Sequence, residues 1–220
     1  MSVTLEVVQA DPEVQAYIRL GHEYLGAIGY TEHSSRHAGL VSRIARNVMA
    51  RLGFPPREAE LAAIAGYLHD MGNVISREGH GQAGAILALQ ILRRLGMPPG
   101  EAASVASAVG NHEESHGQVV NNVAAALILA DKSDVHRTRV RNPELSAFDI
   151  HDRVNYAVQH SFLRVEEKAR TITLELTIDT NISPVMDYFE IFLTRMIMCR
   201  RAAGFLGCHF ELLINEARLL

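Results

Sequence analysis

The stretch Ala65-Gly66-Tyr67-Leu68-His69-Asp70-Met71-Gly72-Asn73 sets an imidazole beside a carboxylate at the end of an apolar, alanine-rich segment. A core helix that ends this way buries two side chains that are costly to desolvate. They need a compensating partner, and a metal ion is a common one for His plus Asp. A His-Asp pair alone says little, since His151-Asp152 repeats it in a more polar setting. The first pair stands out by its company. His37 precedes it, and His80, His112 and Asp131 follow, each at or beside an expected helix. Asp131 closes the apolar run 123–130, where the helix dipole disfavours a carboxylate and the apolar setting calls for a partner.

Imidazole and carboxylate donors without thiolate suit Mn, Fe, Co, Ni, Zn or Mg. The six residues exceed what one catalytic ion with open positions needs. Two divalent metal ions bridged by a carboxylate fit better, with the central Asp70 as the bridge. In that reading His37, His69, Asp70 and Asp131 hold one ion, and His80, His112 and the shared Asp70 hold the other. Asp70 is then also the catalytic residue, placed to orient a metal-activated water. Lys132 and Arg137, beyond Asp131, are cations suited to a phosphate, and Asn73 follows Asp70 closely; these three are the expected substrate contacts. His33, one turn before His37, reads as a neighbour of the site rather than a ligand.

Helices must carry these residues. Asp11-Pro12 caps and opens a helix to about residue 27, and Thr31 is the expected cap of the next, to about 52. Pro55-Pro56 starts the helix that ends in His69-Asp70. Residues 71–79 read as a polar loop in which Gly72 turns the chain. His80-Gly81 opens a helix to about 95, a small-residue helix spans 101–112, and Asn121 caps the apolar run before Asp131. Residues 2–8 alternate and read as a short strand or a loose terminus.

The composition shifts after Arg141. Asn142, Pro143 and Ser146 mark a connection, and 149–160 reads as one more helix. Residues 162–166 and 171–178 read as strands, 184–203 as a helix and 209–214 as a third strand. The expected fold class is mainly α: a helical domain over 1–141, its last packing helix reaching about 160, then a small α+β (β-β-α-β) appendage over 161–220.

With 48% hydrophobic and 21% charged residues, the 220-residue chain reads as soluble and globular. A net charge of −4 gives no reason to expect nucleic acid or a membrane surface as partner. The apolar runs fall short of the roughly 20 residues that span a bilayer. Cys199 and Cys208 form no metal motif or disulfide framework, and the start lacks a basic-then-apolar leader, so a cytoplasmic protein is expected. The helix 184–203 carries more apolar surface than one small sheet should cover, including Phe189, Phe192 and Leu193, and this predicts a homodimer.

The series His37, His69-Asp70, Asp131 resembles the H…HD…D signature of the HD-domain metal-dependent phosphohydrolases, an all-helical superfamily. His80 and His112 resemble the extra ligands of its binuclear members. The resemblance covers about residues 32–141. It includes His80-Gly81-Gln82-Ala83-Gly84 and Asn111-His112-Glu113, which are similar to segments of HD-GYP-like proteins. Three departures stand out. Asn73 occupies the place of an HD-GYP lysine, Asn111 that of a frequent second histidine, and the Gly-Tyr-Pro element is missing, so a cyclic dinucleotide substrate is not implied. What the resemblance implies is hydrolysis of a small, nucleotide-like phosphate mono- or diester at a binuclear site. The same ligand set supports a mixed-valence di-iron oxygenase in some HD proteins, and a non-catalytic sensor is a third reading.

Overall fold

Asp11 accepts hydrogen bonds from the amides of Glu13 and Val14, and Pro12 takes the first helical position, so the first long helix begins where its cap requires. The computed structural model describes residues 2–141 and 148–219. Along them run α1 (Leu5–Ala10), α2 (Pro12–Ala27), α3 (Ser35–Arg51), α4 (Pro56–Leu68), α5 (His80–Arg94), α6 (Pro99–Gly110) and α7 (Asn122–Lys132). Then follow α8 (Ile150–Ala157), β1 (Val158–Glu166), β2 (Thr171–Ile178), α9 (Val185–Phe205), β3 (His209–Ile214) and β4 (Ala217–Arg218). Short 3-10 turns lie at Met71–Val74 and Arg137–Arg139. The expected connection at Asn142, Pro143 and Ser146 lies outside the described residues.

α4 and α7 are buried along nearly their whole lengths, on every face, which puts them at the centre of the bundle. α3 packs on both, and α6 closes against them from its own small-residue surface. Close approach is possible because Gly66 has no side chain. A Cβ there would meet the Ser42 backbone at 2.8 Å. This brings the start of α3 and the end of α4, and with them His37 and His69, to one place.

Several local expectations change. Residues 5–10 are helical, because Leu5 and Val8, three apart, are the pair that is buried. Ser34 rather than Thr31 caps α3, accepting from the Arg36 amide. Residues 30–33 stay outside the helix because the Glu32 amide donates to the Arg139 carbonyl and the Arg139 guanidinium returns two bonds to the Glu32 carbonyl. The loop after Asp70 is not polar throughout: Met71, Gly72 and Asn73 are buried in a 3-10 turn. The helix expected to 160 stops at Ala157, since Val158 pairs with Ile178 and the strand begins there.

The sheet has the order β1-β2-β3-β4, with β2 and β3 parallel and joined through α9, and antiparallel pairs on either side. β4 adds a fourth strand to the expected β-β-α-β unit. Asn215 and Glu216, both at positive φ, form the two-residue turn that permits it. α9 packs against α7 and α8 as well as β2 and β3, and one hydrophobic core runs from Val3 to Ile214. Much of the apolar surface that predicted a homodimer is therefore covered within the chain, including Phe192, while Met186, Leu193 and Phe205 stay exposed.

Gly72 matters by proximity rather than by backbone freedom, since its φ is not positive. A Cβ there would lie far inside van der Waals contact distance of the His80 carbonyl oxygen and 2.5 Å from the Gly84 amide nitrogen. Gly72→Ala should destabilise the protein by about 3 kcal/mol by forcing α5 away from the Met71–Val74 turn, read from urea unfolding midpoints.

Candidate metal centre

His37 sits in the first turn of α3, His69 caps the end of α4, His80 is the first residue of α5, and His112 follows α6. All four rings are buried. Each has its Nδ1 fixed by an oxygen: His37 on Asp134 Oδ2 at 2.7 Å, His69 on the Gly66 carbonyl at 2.9 Å, His80 on the Arg77 carbonyl at 3.1 Å, and His112 on the Val109 carbonyl at 2.6 Å. Those oxygens only accept, so every Nδ1 carries a proton, and in the neutral ring every Nε2 presents a lone pair. The lone pairs converge. His37 Nε2 lies 3.2 Å from His69 Nε2, and His80 Nε2 lies 3.1 Å from His112 Nε2.

Two carboxylates share this space. Asp70 Oδ2 lies 3.2 Å from His69 Nε2 and 3.5 Å from His37 Nε2, while its Oδ1 lies 3.4 Å from His80 Nε2. Asp131 Oδ1 lies 3.4 Å from His37 Nε2 and 3.5 Å from His69 Nε2. Buried Asp70 Oδ2 makes no hydrogen bond among the described residues. Lone pairs and anionic oxygens that face one another without bonds between them fit a cation. Three overlapping groups, each within 4.8 Å, could hold one: His37, His69 and Asp70; His69, His112 and Asp131; Asp70, His80 and His112. The middle group ties His112 to Asp131, a link that the two-ion division of the ligands did not contain.

Without a metal, protons must balance the same charges. Burial opposes it, yet the Asp70 and Asp131 carboxylates push His69 up to about 10. Burial, together with His69 and His80, pushes His112 down to about 3. Asp70 and Asp131 are held well below the ordinary carboxylate range, against the effect of burial, by His69 and by Lys132 respectively.

A second layer of charges fixes the ligands. Asp134 accepts the hydrogen bond of His37 Nδ1 and is itself held by Arg36 Nη2 at 3.2 Å, while Arg139 donates to its backbone carbonyl. Glu113 Oε1 lies 3.1 Å from His80 Nδ1. Lys132 lines the cavity beside these side chains, with its Nζ 2.6 Å from Asp131 Oδ2 and 3.2 Å from Glu114 Oε1. It thereby leaves Asp131 only Oδ1 to offer. Asn73 Nδ2 donates to the Asp70 carbonyl and to Asp70 Oδ1, so it too supports a ligand.

Arg137, expected to meet the substrate, is stacked on Tyr156 at 5.2 Å and does not line the cavity beside the ligands. Lys132, Arg77, Arg139 and Arg195 are the cations that line it, together with His33. His33 stands in edge contact with His37, 5.6 Å between ring centres, with its Nδ1 on the Thr31 carbonyl. Asp134, Glu114, Arg77 and Arg195 were not singled out from the sequence, and Glu113 entered only as part of the segment Asn111-His112-Glu113. A second acid three residues after Asp131 and the acid pair after His112 were the available signals.

Asp70→Ala should lose most of the bound metal in elemental analysis, whereas His151→Ala should retain it. Asp134→Ala should weaken metal binding by about 10- to 100-fold, with Asp134→Asn between it and the parent, measured by competition with a chelating dye.

No curated protein matches the sequence. A crystal structure of a predicted HD superfamily hydrolase from an uncultured Thermotogales bacterium is 21% identical and overlaps 60% of this chain and 73% of that one, with a TM-score of 0.43. The family model described as HD domain matches residues 30–178, a span that holds all six His and Asp residues and reaches through β2. The chain belongs to the HD-domain family.

Proposed function

We propose that the protein is a metal-dependent phosphohydrolase acting on a small phosphate ester at a two-metal site. The observation that carries this reading is the division of Asp70: one oxygen faces His37 and His69, the other faces His80. A carboxylate so placed suits a bridge, with His37, His69 and Asp131 completing one ion and His80 and His112 the other. Bound divalent ions would supply Lewis-acid polarisation of the phosphoryl oxygens and a water of lowered pKa.

The remaining residues then have definable tasks. Asp70 orients that water through whichever oxygen lone pairs the ions leave free. Lys132 keeps Asp131 on one oxygen. Arg77 is the cation best placed for the phosphate. Its Nη1 makes only long contacts, 3.5 Å to Asn73 Oδ1 and 3.4 Å to His80 Nε2, and its guanidinium stacks 5.3 Å from the Tyr30 ring. It thus reaches the ligands while most of its donors stay available. Arg195, 2.7 Å from Glu114, gives a second positive wall. Small-molecule turnover also agrees with the narrowness of the cavity beside these side chains, about 20 Å³.

Hydrolysis of this kind uses water and needs neither dioxygen nor a reductant. The manganese-loaded protein should therefore release phosphate, or open a phosphodiester, in anaerobic buffer from a panel of nucleoside monophosphates, sugar phosphates and an aryl phosphodiester. Arg77→Ala should raise KM about tenfold with kcat little changed, as for a residue that only binds. No turnover on the panel, together with oxygen consumption by the iron-loaded form, would replace this reading with the oxygenase.

A further inference from the structure

A larger cleft of about 330 Å³ lies beside the metal cavity, and the two share His33, Arg77, Arg139 and Arg195 as lining residues. The shared end presents guanidinium groups, which only donate hydrogen bonds. Arg77 lies against Tyr30 there, and Arg195 lies 4.5 Å over Phe192. The other end is chemically opposite. Asp149, His151, Asp152 and Asn155 line the cleft without bordering the metal cavity. They come from α8 and its cap, outside the helices that carry the metal-site residues.

That far end is dominated by acceptors. The Asp152 carboxylate has no ion pair or hydrogen-bond donor among the described residues, and only its backbone amide is engaged, by Asp149 Oδ1. Asn155 is buried; one hydrogen of its Nδ2 goes to the His151 carbonyl at 2.8 Å, and its amide oxygen accepts no hydrogen bond among the described residues. Burial and the adjacent Asp149 push the Asp152 carboxyl above its ordinary range, against the opposing effect of His151. A ligand with an acceptor or apolar group here would leave these oxygens unmatched, at a cost.

Resting on the phosphohydrolase reading for which end takes the phosphate, we infer that the cleft selects phosphate esters whose alcohol part carries hydrogen-bond donors, hydroxyl or ammonium, read by Asp152 and Asn155 of α8. The volume lies at the small end of ligand pockets, which limits that part to a compact group. Asp152 and Asn155 are specificity-determining residues in this scheme; they touch the alcohol and not the reacting phosphorus.

The test is calorimetric binding of non-hydrolysable phosphonate counterparts of glucose 6-phosphate, phosphoethanolamine and phenyl phosphate to the full chain in manganese buffer. At least one donor-bearing compound should bind about tenfold tighter than the aryl compound, and which one it is tells hydroxyl from ammonium. Asp152→Ala should bring that preference to within about twofold, and Asp152→Asn, which keeps the shape, should fall between. A uniform loss of affinity for all three compounds would indicate a structural role for Asp152 and overturn the inference. So would an aryl compound that binds as tightly, an absence of binding by all three, or a preference that survives Asp152→Ala. Because nothing in this experiment turns over, selective binding by a protein that hydrolyses no ester would leave the inference standing and sink the hydrolase reading alone.

Discussion

Four Nδ1 protons, each pinned to an oxygen, decide what the middle of this protein can be. Three of those oxygens are backbone carbonyls three residues before the ring, on Gly66, Arg77 and Val109. His69 and His112 stand at the C-terminal ends of α4 and α6, where carbonyls lack their usual partners and can accept a side-chain proton, while the Arg77 carbonyl lies in the loop before α5. The consequence is forced. Nε2 lone pairs point into a common buried space that also holds Asp70 and Asp131, and a cation or a set of trapped protons must balance them.

The surroundings follow from that requirement by alternation of charge. Asp131 meets Lys132, Lys132 meets Glu114, and Glu114 meets Arg195. On the other side His37 meets Asp134, and Asp134 meets Arg36 and Arg139. A buried charge left alone would be strongly destabilising, and each one here is flanked by opposite charge until the series reaches the surface. Burial works against the Lys132 ammonium, but Asp131 and Glu114 keep its pKa above the ordinary lysine value. The cation therefore stays charged, and Asp131 stays committed on that oxygen.

The helical frame and the cluster were legible because the signals are local. Caps such as Asp11 and Asn121 bond the amides of the following two or three residues, and His37, His69, Asp70, His80, His112 and Asp131 stand out as polar residues where apolar ones are expected. What sequence does not carry is direction. Lys132 follows a ligand in the chain just as Arg137 follows a few residues later, yet one is drawn into the charge series and the other lies on Tyr156. Arg77 and Arg195 reach the site from a turn and from α9, and no spacing rule connects them to the histidines. Asp134 carries no local signal either, because its partner, His37, is 97 residues away. The strand that begins at Val158 escaped for the same reason: its pairing with Ile178 is a fact about the sheet, not about the local pattern.

The C-terminal unit is tied to the centre by the same charge series. Arg195 belongs to α9, and its bond to Glu114 connects the helices that carry the ligands to the element that crosses from β2 to β3. This gives the two parts of the fold different freedoms. Residues around the imidazoles are fixed by backbone carbonyls and by the absence of Cβ atoms at Gly66 and Gly72, so few changes there leave the geometry intact. α8 has no such constraint, because Asp152 lines the cleft without bordering the metal cavity. Side chains there can therefore change without disturbing the frame that holds the imidazoles.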